Sequence, residues 1–283
     1  MRGDPPDMTI EELKKKAREI RATCVQMACD GKEGHLSSSL GYVDVLVALY
    51  CGWLKIFPKE PGNPDRDRFI LSKGHGCASL YAMLADRGYF PPSMLAEYNR
   101  EGSCLPNHPC LHALPALEMS AGSLGHGLGV ATGVLYGLRL RGSAARAVVL
   151  LGDGECNEGS VWESATFAAA HHLDRLLAVV DYNGIQAVGK SDEIMGHTSL
   201  EEKFRSFGWG AVTIDGSDMK SVVAALGRFP FEKGKPSVII AKTKIGVSFM
   251  EGDVLWHYRK PSEEERLKAL AELGARPIYG AVS

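Results

Sequence analysis

The chain alternates between stretches of helical character and short, continuous apolar runs. Thr9 and Glu12 stand at capping-box spacing and predict a helix that opens there and runs to about Asp30. "LGYVDVLVALY", from Leu40, predicts a second, mostly buried helix, and "DRFILS", from Asp67, a short strand. "KGHGCASLYAMLADRGY" predicts a glycine turn and then a helix ending at Gly88. Between Gly102 and Gly122 periodicity fades and Pro, His and Cys accumulate, which predicts a long functional loop. "LGHGLGVATGVLYGLRLRG" reads as a glycine-rich helix whose small residues suit close packing. The pattern then becomes regular: strand "ARAVVLLG", helix "SVWESATFAAAHH", strand "RLLAVVDY", helix "SLEEKFRSFG", strand "WGAVTID", helix "DMKSVVAALGRF", strand "PSVIIAKT". Ser262 with Glu265 caps a final helix.

The strands are unbroken apolar runs, so both faces of their sheet are expected to be covered. Strands alternating with helices in this way predict an α/β fold, a doubly wound parallel sheet with helices on both faces. Ligands of such sheets bind beyond the carboxyl ends of the strands. The turns there are Ser72–Gly76, Gly152–Gly159, Asp181–Ile185 and Thr243–Gly246. No repeat or convincing linker interrupts the pattern. Residues 9–283 are therefore expected to form a single domain, preceded by a flexible tail over residues 1–8.

Composition narrows the function classes. At 283 residues, 45% hydrophobic and 23% charged, the chain can bury a substantial core. A formal net charge of -2 argues against nucleic acid, which needs a clustered basic face. Seven cysteines, an odd number without the pattern of a secretion signal, read as reduced thiols, and a cytoplasmic location is expected. No apolar run is seen to approach the roughly 20 residues of a bilayer span, so no membrane partner is expected.

Candidate chemistry begins at "LLGDGECNEGS", residues 150–160. Gly152 and Gly154 permit a tight turn with close backbone approach, and Asp153 supplies a hard carboxylate. The next strand ends at "DYNGI", which offers the Asn183 side-chain oxygen and nearby main-chain carbonyls. Such oxygens suit Mg²⁺ or Ca²⁺, and magnesium usually completes its shell with phosphate and water. The helix after Gly159 is expected to aim its N-terminus at the same place, which favours an anion. The bland reading of the short motif is a strand-exit turn with Asp153 as a helix cap.

Gly-Asp-Gly at a strand exit, a helix, a second apolar strand and then Asn183 resembles the cofactor motif of thiamine-diphosphate-dependent enzymes. "GHLSSSLG" from Gly34, "DRFILSKGHG" from Asp67, "NHP" from Asn107, "GSLGHG" from Gly122 and "WH" at Trp256 occur in the order found in transketolases. Together they cover about residues 10 to 262. The chain is similar to the diphosphate-binding half of transketolase, in the form split over two polypeptides. The resemblance implies the thiamine-diphosphate-binding fold, with thiamine diphosphate and Mg²⁺ or Ca²⁺ as cofactors. It implies transfer of a two-carbon ketol unit from a ketose to an aldose, or between their phosphates.

Residue by residue, the resemblance implies Asp153, Asn183 and the main-chain oxygen of Ile185 as metal ligands. Gly152, Gly154 and Glu155 become cofactor-binding positions, the main chain of Gly154 and Glu155 facing the diphosphate. Gly122, Ser123 and Leu124 match the segment against the cofactor rings. Glu158 matches a glutamate in a hydrogen-bonded link between the two active sites of the dimer. His75 and His257 match histidines that contact the diphosphate and line the substrate channel. His35 and His108 match histidines that contact sugar hydroxyls or serve in proton transfer. Ketol transfer moves protons on sugar oxygens near neutral pH, a task for imidazole.

The chain also departs from the family pattern. Ser123 and His126 replace a common proline and glutamine, and Ser37–Ser39 replace a proline-containing run, which leaves substrate preference open. The pyrimidine-binding domain of full-length transketolase, with its activating glutamate, has no counterpart in these 283 residues. A separate subunit carrying that domain is expected, in an α2β2 heterotetramer acting on sugars or sugar phosphates. Rival readings are the alpha subunit of a 2-oxo acid dehydrogenase and a non-catalytic, cofactor-binding regulatory subunit. "CLPNHPCLH", Cys104 to His112, raises a zinc site whose spacing fits no common finger or knuckle. Cys156 lies inside the cofactor loop, so alkylation there could inhibit, but nothing marks it as a catalytic thiol.

Overall fold

The computed structural model describes residues 8–280 apart from 187 and 197. The expected tail, residues 1–8, lies outside the described residues except for Met8. Helix α1 (Ile10–Asp30) opens with the capping box: Thr9 accepts the Glu12 N–H, and the Glu12 carboxylate accepts the Thr9 N–H. Helices α2 (Leu36–Leu40) and α3 (Val43–Ala48) follow, the latter running into a π turn that ends at Trp53. Strand β1 (Arg68–Leu71) leads to α4 (Cys77–Asp86) and, after a long irregular segment, to α5 (Gly127–Leu140). Then come β2 (Ala147–Gly152), α6 (Gly159–Ala170) and β3 (Leu176–Tyr182). A small antiparallel ribbon, β4 (Ile185–Gln186) and β5 (Gly189–Lys190), precedes α7 (Ser191–Met195) and α8 (Leu200–Ser206). The chain continues through β6 (Gly210–Asp215), α9 (Met219–Leu226), β7 (Ser237–Lys242) and α10 (Glu263–Leu273), which opens on the capping box of Ser262 and Glu265.

The five long strands form one parallel sheet in the order β1-β2-β3-β7-β6. Alternate strand residues enter two separate cores, as the two faces of a pleated sheet require. Val148 and Leu150 pack toward α1, α3, α4, α9 and α10; Val149 and Leu151 pack toward α5, α6 and α8. The chain passes from β3 to β6 and returns to β7 between them, so the carboxyl ends of β3 and β7 lie side by side, with Tyr182 opposite Lys242. A crevice there is the general ligand position of open α/β sheets.

Three expectations need correction. β6, one of the sheet's two edge strands, is not a continuous buried run: only Gly210 and Ala211 are buried, while Thr213 and Asp215 are exposed. The ribbon and α7 were not expected from the sequence; their two- and five-residue lengths leave no periodic signal. Finally, Leu36–Trp53 is long and apolar enough to cross a membrane by length and composition, yet 89% of it is buried within the fold.

Candidate active site

The turns at the carboxyl edge of the sheet converge. A cavity of ≈ 250 Å³ opens where β3 and β7 end, with Ser37, Ser38, Asn183, Gly184, Thr243 and His257 in its wall. Two distant motifs are pressed together beside it. The His35 N–H donates to the His257 carbonyl at 3.1 Å, and the Ser37 hydroxyl to the Trp256 carbonyl at 3.1 Å. A Cβ on Gly34 would stand 2.4 Å from the Tyr258 carbonyl oxygen, so only glycine permits this approach.

All four predicted histidines meet here. The His35 ring lies 5.4 Å from His75, 5.3 Å from His257 and 6.3 Å from His108, centre to centre, and His75 lies 5.4 Å from His257. Burial, then the Lys73 ammonium and the neighbouring imidazoles, push His75 down to about 2. Burial, then His35 and Lys73, push His257 down to about 4. Burial, then His35, lower His108, against an upward pull from Glu33. These three rings are held neutral at pH 7, able both to donate and to accept a hydrogen bond.

Beneath them lies a charge pair that the sequence motifs did not single out. Lys73 is buried, its ammonium bonded to the Asp181 carboxylate and, at 2.8 Å, to the Ser38 carbonyl. Asp181 also accepts from the Thr243 hydroxyl. The pair ties the exits of β1, β3 and β7 to α2. A signal was present: "RLLAVVDY" carries a carboxylate inside a strand expected to be buried on both faces, and such a charge needs a partner.

Asp153 and Asn183 are neighbours across β2 and β3. The Asp153 carboxylate accepts from the N–H of Gly154 at 2.9 Å, the N–H of Gly184 at 3.1 Å and the Ser191 hydroxyl at 2.6 Å. Asn183 Oδ1 accepts the Ile185 N–H at 2.9 Å. Burial, and the nearby Asp181, push Asp153 up to about 6 despite those donors. Among the described residues no cationic side chain forms an ion pair with it. A buried carboxylate of raised pKa beside a carboxamide oxygen and a turn of main-chain carbonyls fits a divalent cation, whose charge reverses the burial penalty.

The helix geometry differs from expectation. A 3-10 turn, Gly154–Asn157, stands between Asp153 and α6, and Asp153 caps that turn through the Gly154 N–H. The α6 N-terminus instead meets the "GSLGHG" segment, with the Ser160 hydroxyl on the Gly125 carbonyl at 3.0 Å. Glu155 turns its side chain inward: it accepts from the Ser72 hydroxyl, from the Gly125 N–H at 2.8 Å and from the Gly152 N–H at 3.0 Å. It therefore locks the exits of β1 and β2 to that segment. Gly122, Ser123 and Glu158 are exposed and Leu124 is half-buried, away from the cavity wall.

Among the described residues no three His, Cys, Asp or Glu side chains gather as a metal site, so Cys104–His112 forms no zinc centre. Cys156 is buried and its thiol is pushed well above the ordinary range by that burial, then by Glu155 and Asp153. A thiol in that state does not react readily with an alkylating agent.

Residues 13–274 match the family described as "Transketolase, thiamine diphosphate binding domain". The chain is 40% identical over 273 residues to an apulose-4-phosphate transketolase subunit from Actinobacillus succinogenes, covering 95% of this chain and 99% of that one. It is 40% identical over 264 residues to the 6-deoxy-6-sulfo-D-fructose transketolase subunit SqwG of a Clostridium species, covering 93% and 96%. Among solved structures, transketolase from Campylobacter jejuni superposes with a TM-score of 0.90 at 29% identity, over 97% of this chain and 44% of that one. The chain thus spans less than half the length of that full-length enzyme, and nearly the whole of the two subunits.

Proposed function

The chain belongs to the transketolase family of transferases, as its thiamine-diphosphate-binding part, and we propose that it is one subunit of a two-component transketolase. In this reading it moves a two-carbon ketol unit from a ketose or ketose phosphate to an aldose or aldose phosphate. A separate subunit supplies the pyrimidine-binding domain, in an α2β2 assembly, and catalysis requires both. The names of the two subunit relatives support a partner chain and a sugar substrate. We further read residues 9–283 as a single diphosphate-binding domain, located in the cytoplasm.

The observation that carries the reading is the convergence of four imidazoles on the sheet edge that also holds Asp153 and Asn183. Asp153, Asn183 and the Ile185 carbonyl would hold Mg²⁺, and Gly152–Glu155 would bind the diphosphate whose charge it would offset. The cofactor, when bound, supplies the nucleophilic carbon and the electron sink that the side chains lack. The chain's own task is to orient and to move protons. His75 and His257, kept neutral, hydrogen-bond without adding positive charge. His35, which lies against the other three rings, and His108 would exchange protons with sugar hydroxyls.

Equilibrium titration of thiamine diphosphate into the chain with its partner subunit tests this. Binding is expected to require Mg²⁺ and to weaken in Asp153→Asn by at least the roughly 10–100-fold typical of lost groups around a metal. Equal affinity without Mg²⁺ and in the variant would overturn the proposal.

A further inference from the structure

Glu33 stands two residues before His35 and belongs to none of the recognised motifs. Its side chain is only 13% exposed. Oε1 lies 3.2 Å from Nδ1 of His35. Oε2 accepts from Nδ2 of Asn99 at 2.9 Å and from Nδ2 of Asn107 at 3.4 Å. Oδ1 of Asn107 in turn lies 3.3 Å from Nδ1 of His108. One carboxylate therefore reaches two of the four imidazoles, the first directly and the second through a carboxamide.

The backbone around Glu33 is held in an uncommon form. Lys32, His35 and Asn99 all have left-handed φ values, 50°, 57° and 55°. Such conformations at non-glycine residues persist where the surroundings over-determine them, and they gather at functional sites. Here the turn is fixed from both sides. Asn99 also donates to the Gly31 carbonyl at 3.1 Å, and His35 donates its N–H to the His257 carbonyl at 3.1 Å.

The donor and acceptor chemistry of the chain of contacts has one solution. An ionised carboxylate only accepts, so a neutral His35 must carry its proton on Nδ1 to bond to Glu33. Because Asn107 gives its amide hydrogens to Glu33, its oxygen faces His108, and Nδ1 of that ring must also be the donor. Both rings then keep Nε2 unprotonated. We propose that Glu33 is a positioning residue that sets the tautomers of His35 and His108, so that both present an accepting Nε2 to the hydroxyl groups of a sugar. The sugar rests on the function proposed above; the tautomers do not.

Long-range ¹H–¹⁵N spectra of the histidine rings in the full chain test this, recorded at about pH 8 and assigned with single His→Asn variants. Nδ1–H patterns are expected at His35 and His108. In Glu33→Gln the amide offers its oxygen to one side only, so at least one of the two rings is expected to switch to Nε2–H. With the partner subunit present, the same variant is expected to lose at least tenfold in kcat while its affinity for thiamine diphosphate stays unchanged. An Nε2–H pattern at either ring of the unaltered chain, or unchanged tautomers at both rings in Glu33→Gln, would overturn the assignment. Nδ1–H rings in a complex inactive on sugars would sustain the tautomer assignment and overturn its ligand.

Discussion

Lys73 and Asp181 form an ion pair whose side chains are 3% and 0% exposed. The Lys73 ammonium also lies 4.8 Å from the centre of the Tyr42 ring, and the second Asp181 oxygen takes the Thr243 hydroxyl. Every polar group of the pair is thus engaged, which is the condition under which buried charge is tolerated. Because the pair joins three strand exits and α2, it holds the floor beneath the histidines.

Removing one partner should be costly. Lys73→Met leaves Asp181 buried without its cation, and a loss of about 3–5 kcal/mol is expected. Adding Asp181→Asn to the same chain should recover part of that loss, since no charge then remains unpaired. Urea denaturation of the three proteins measures both effects. A Lys73→Met midpoint equal to that of the unaltered chain would contradict the role given to the pair.

Acid should destabilise the fold well above the range in which most carboxylates titrate. His257 is held down to about 4 and His75 to about 2, both chiefly by burial, against an ordinary value of 6.5. The unfolded chain takes up protons below pH 6.5 that the folded chain refuses. The stability linked to these rings is therefore complete above 6.5 and is lost as pH falls from 6.5 through about 4, and further for His75. Each ring contributes at most about 1.4 kcal/mol per pH unit in that window. Asp153, raised to about 6, works the other way over the same window, so unfolding free energies at pH 7, 5.5 and 4.5 should fall by less than the two rings alone imply, with a shallower slope in His257→Asn; parallel slopes would count against the neutral cluster.

Gly34→Ala should damage the site more than the fold. The new methyl would lie 2.4 Å from the Tyr258 carbonyl oxygen, so the segment carrying His257 must move away. A stability loss of about 1–3 kcal/mol is expected from such overpacking. The His35 N–H to His257 carbonyl bond would break with it. Ketol transfer by the complex should fall at least tenfold; activity equal to the unaltered complex would show that this contact is dispensable.

Cys156 should be silent toward thiol reagents in the folded chain. It is buried, and its thiol resists ionisation. Peptide mapping after brief native iodoacetamide treatment should find it unmodified, and treatment in urea should label it fully. Rapid native labelling would mean that the loop after β2 opens.

What the sequence revealed, and what it did not, follows from the range of each interaction. β2, β3 and β7 were legible because strands covered on both faces must be apolar throughout, and Ala147–Leu151 and Leu176–Val180 are fully buried. The capping boxes at Thr9 and Ser262 were legible because their partners lie three residues away. The four histidines were legible through their motifs, although nothing local says that His35 and His257 touch across 222 residues (257 − 35). The partners Lys73 and Asp181 sit 108 residues apart, so neither reveals the other. Glu33 was missed for the same reason: Asn99 and Asn107 reach it only once the long irregular segment folds back.

The central claim is that this chain completes its active site with a second subunit. The most direct test is to tag the chain, recover it from its native lysate with thiamine diphosphate and Mg²⁺ present, and assay the eluate for ketose-phosphate cleavage with an aldose-phosphate acceptor. A second chain that co-purifies, with activity that follows it and vanishes when it is stripped away, is the predicted result. A chain recovered alone that still turns over sugar would contradict the account.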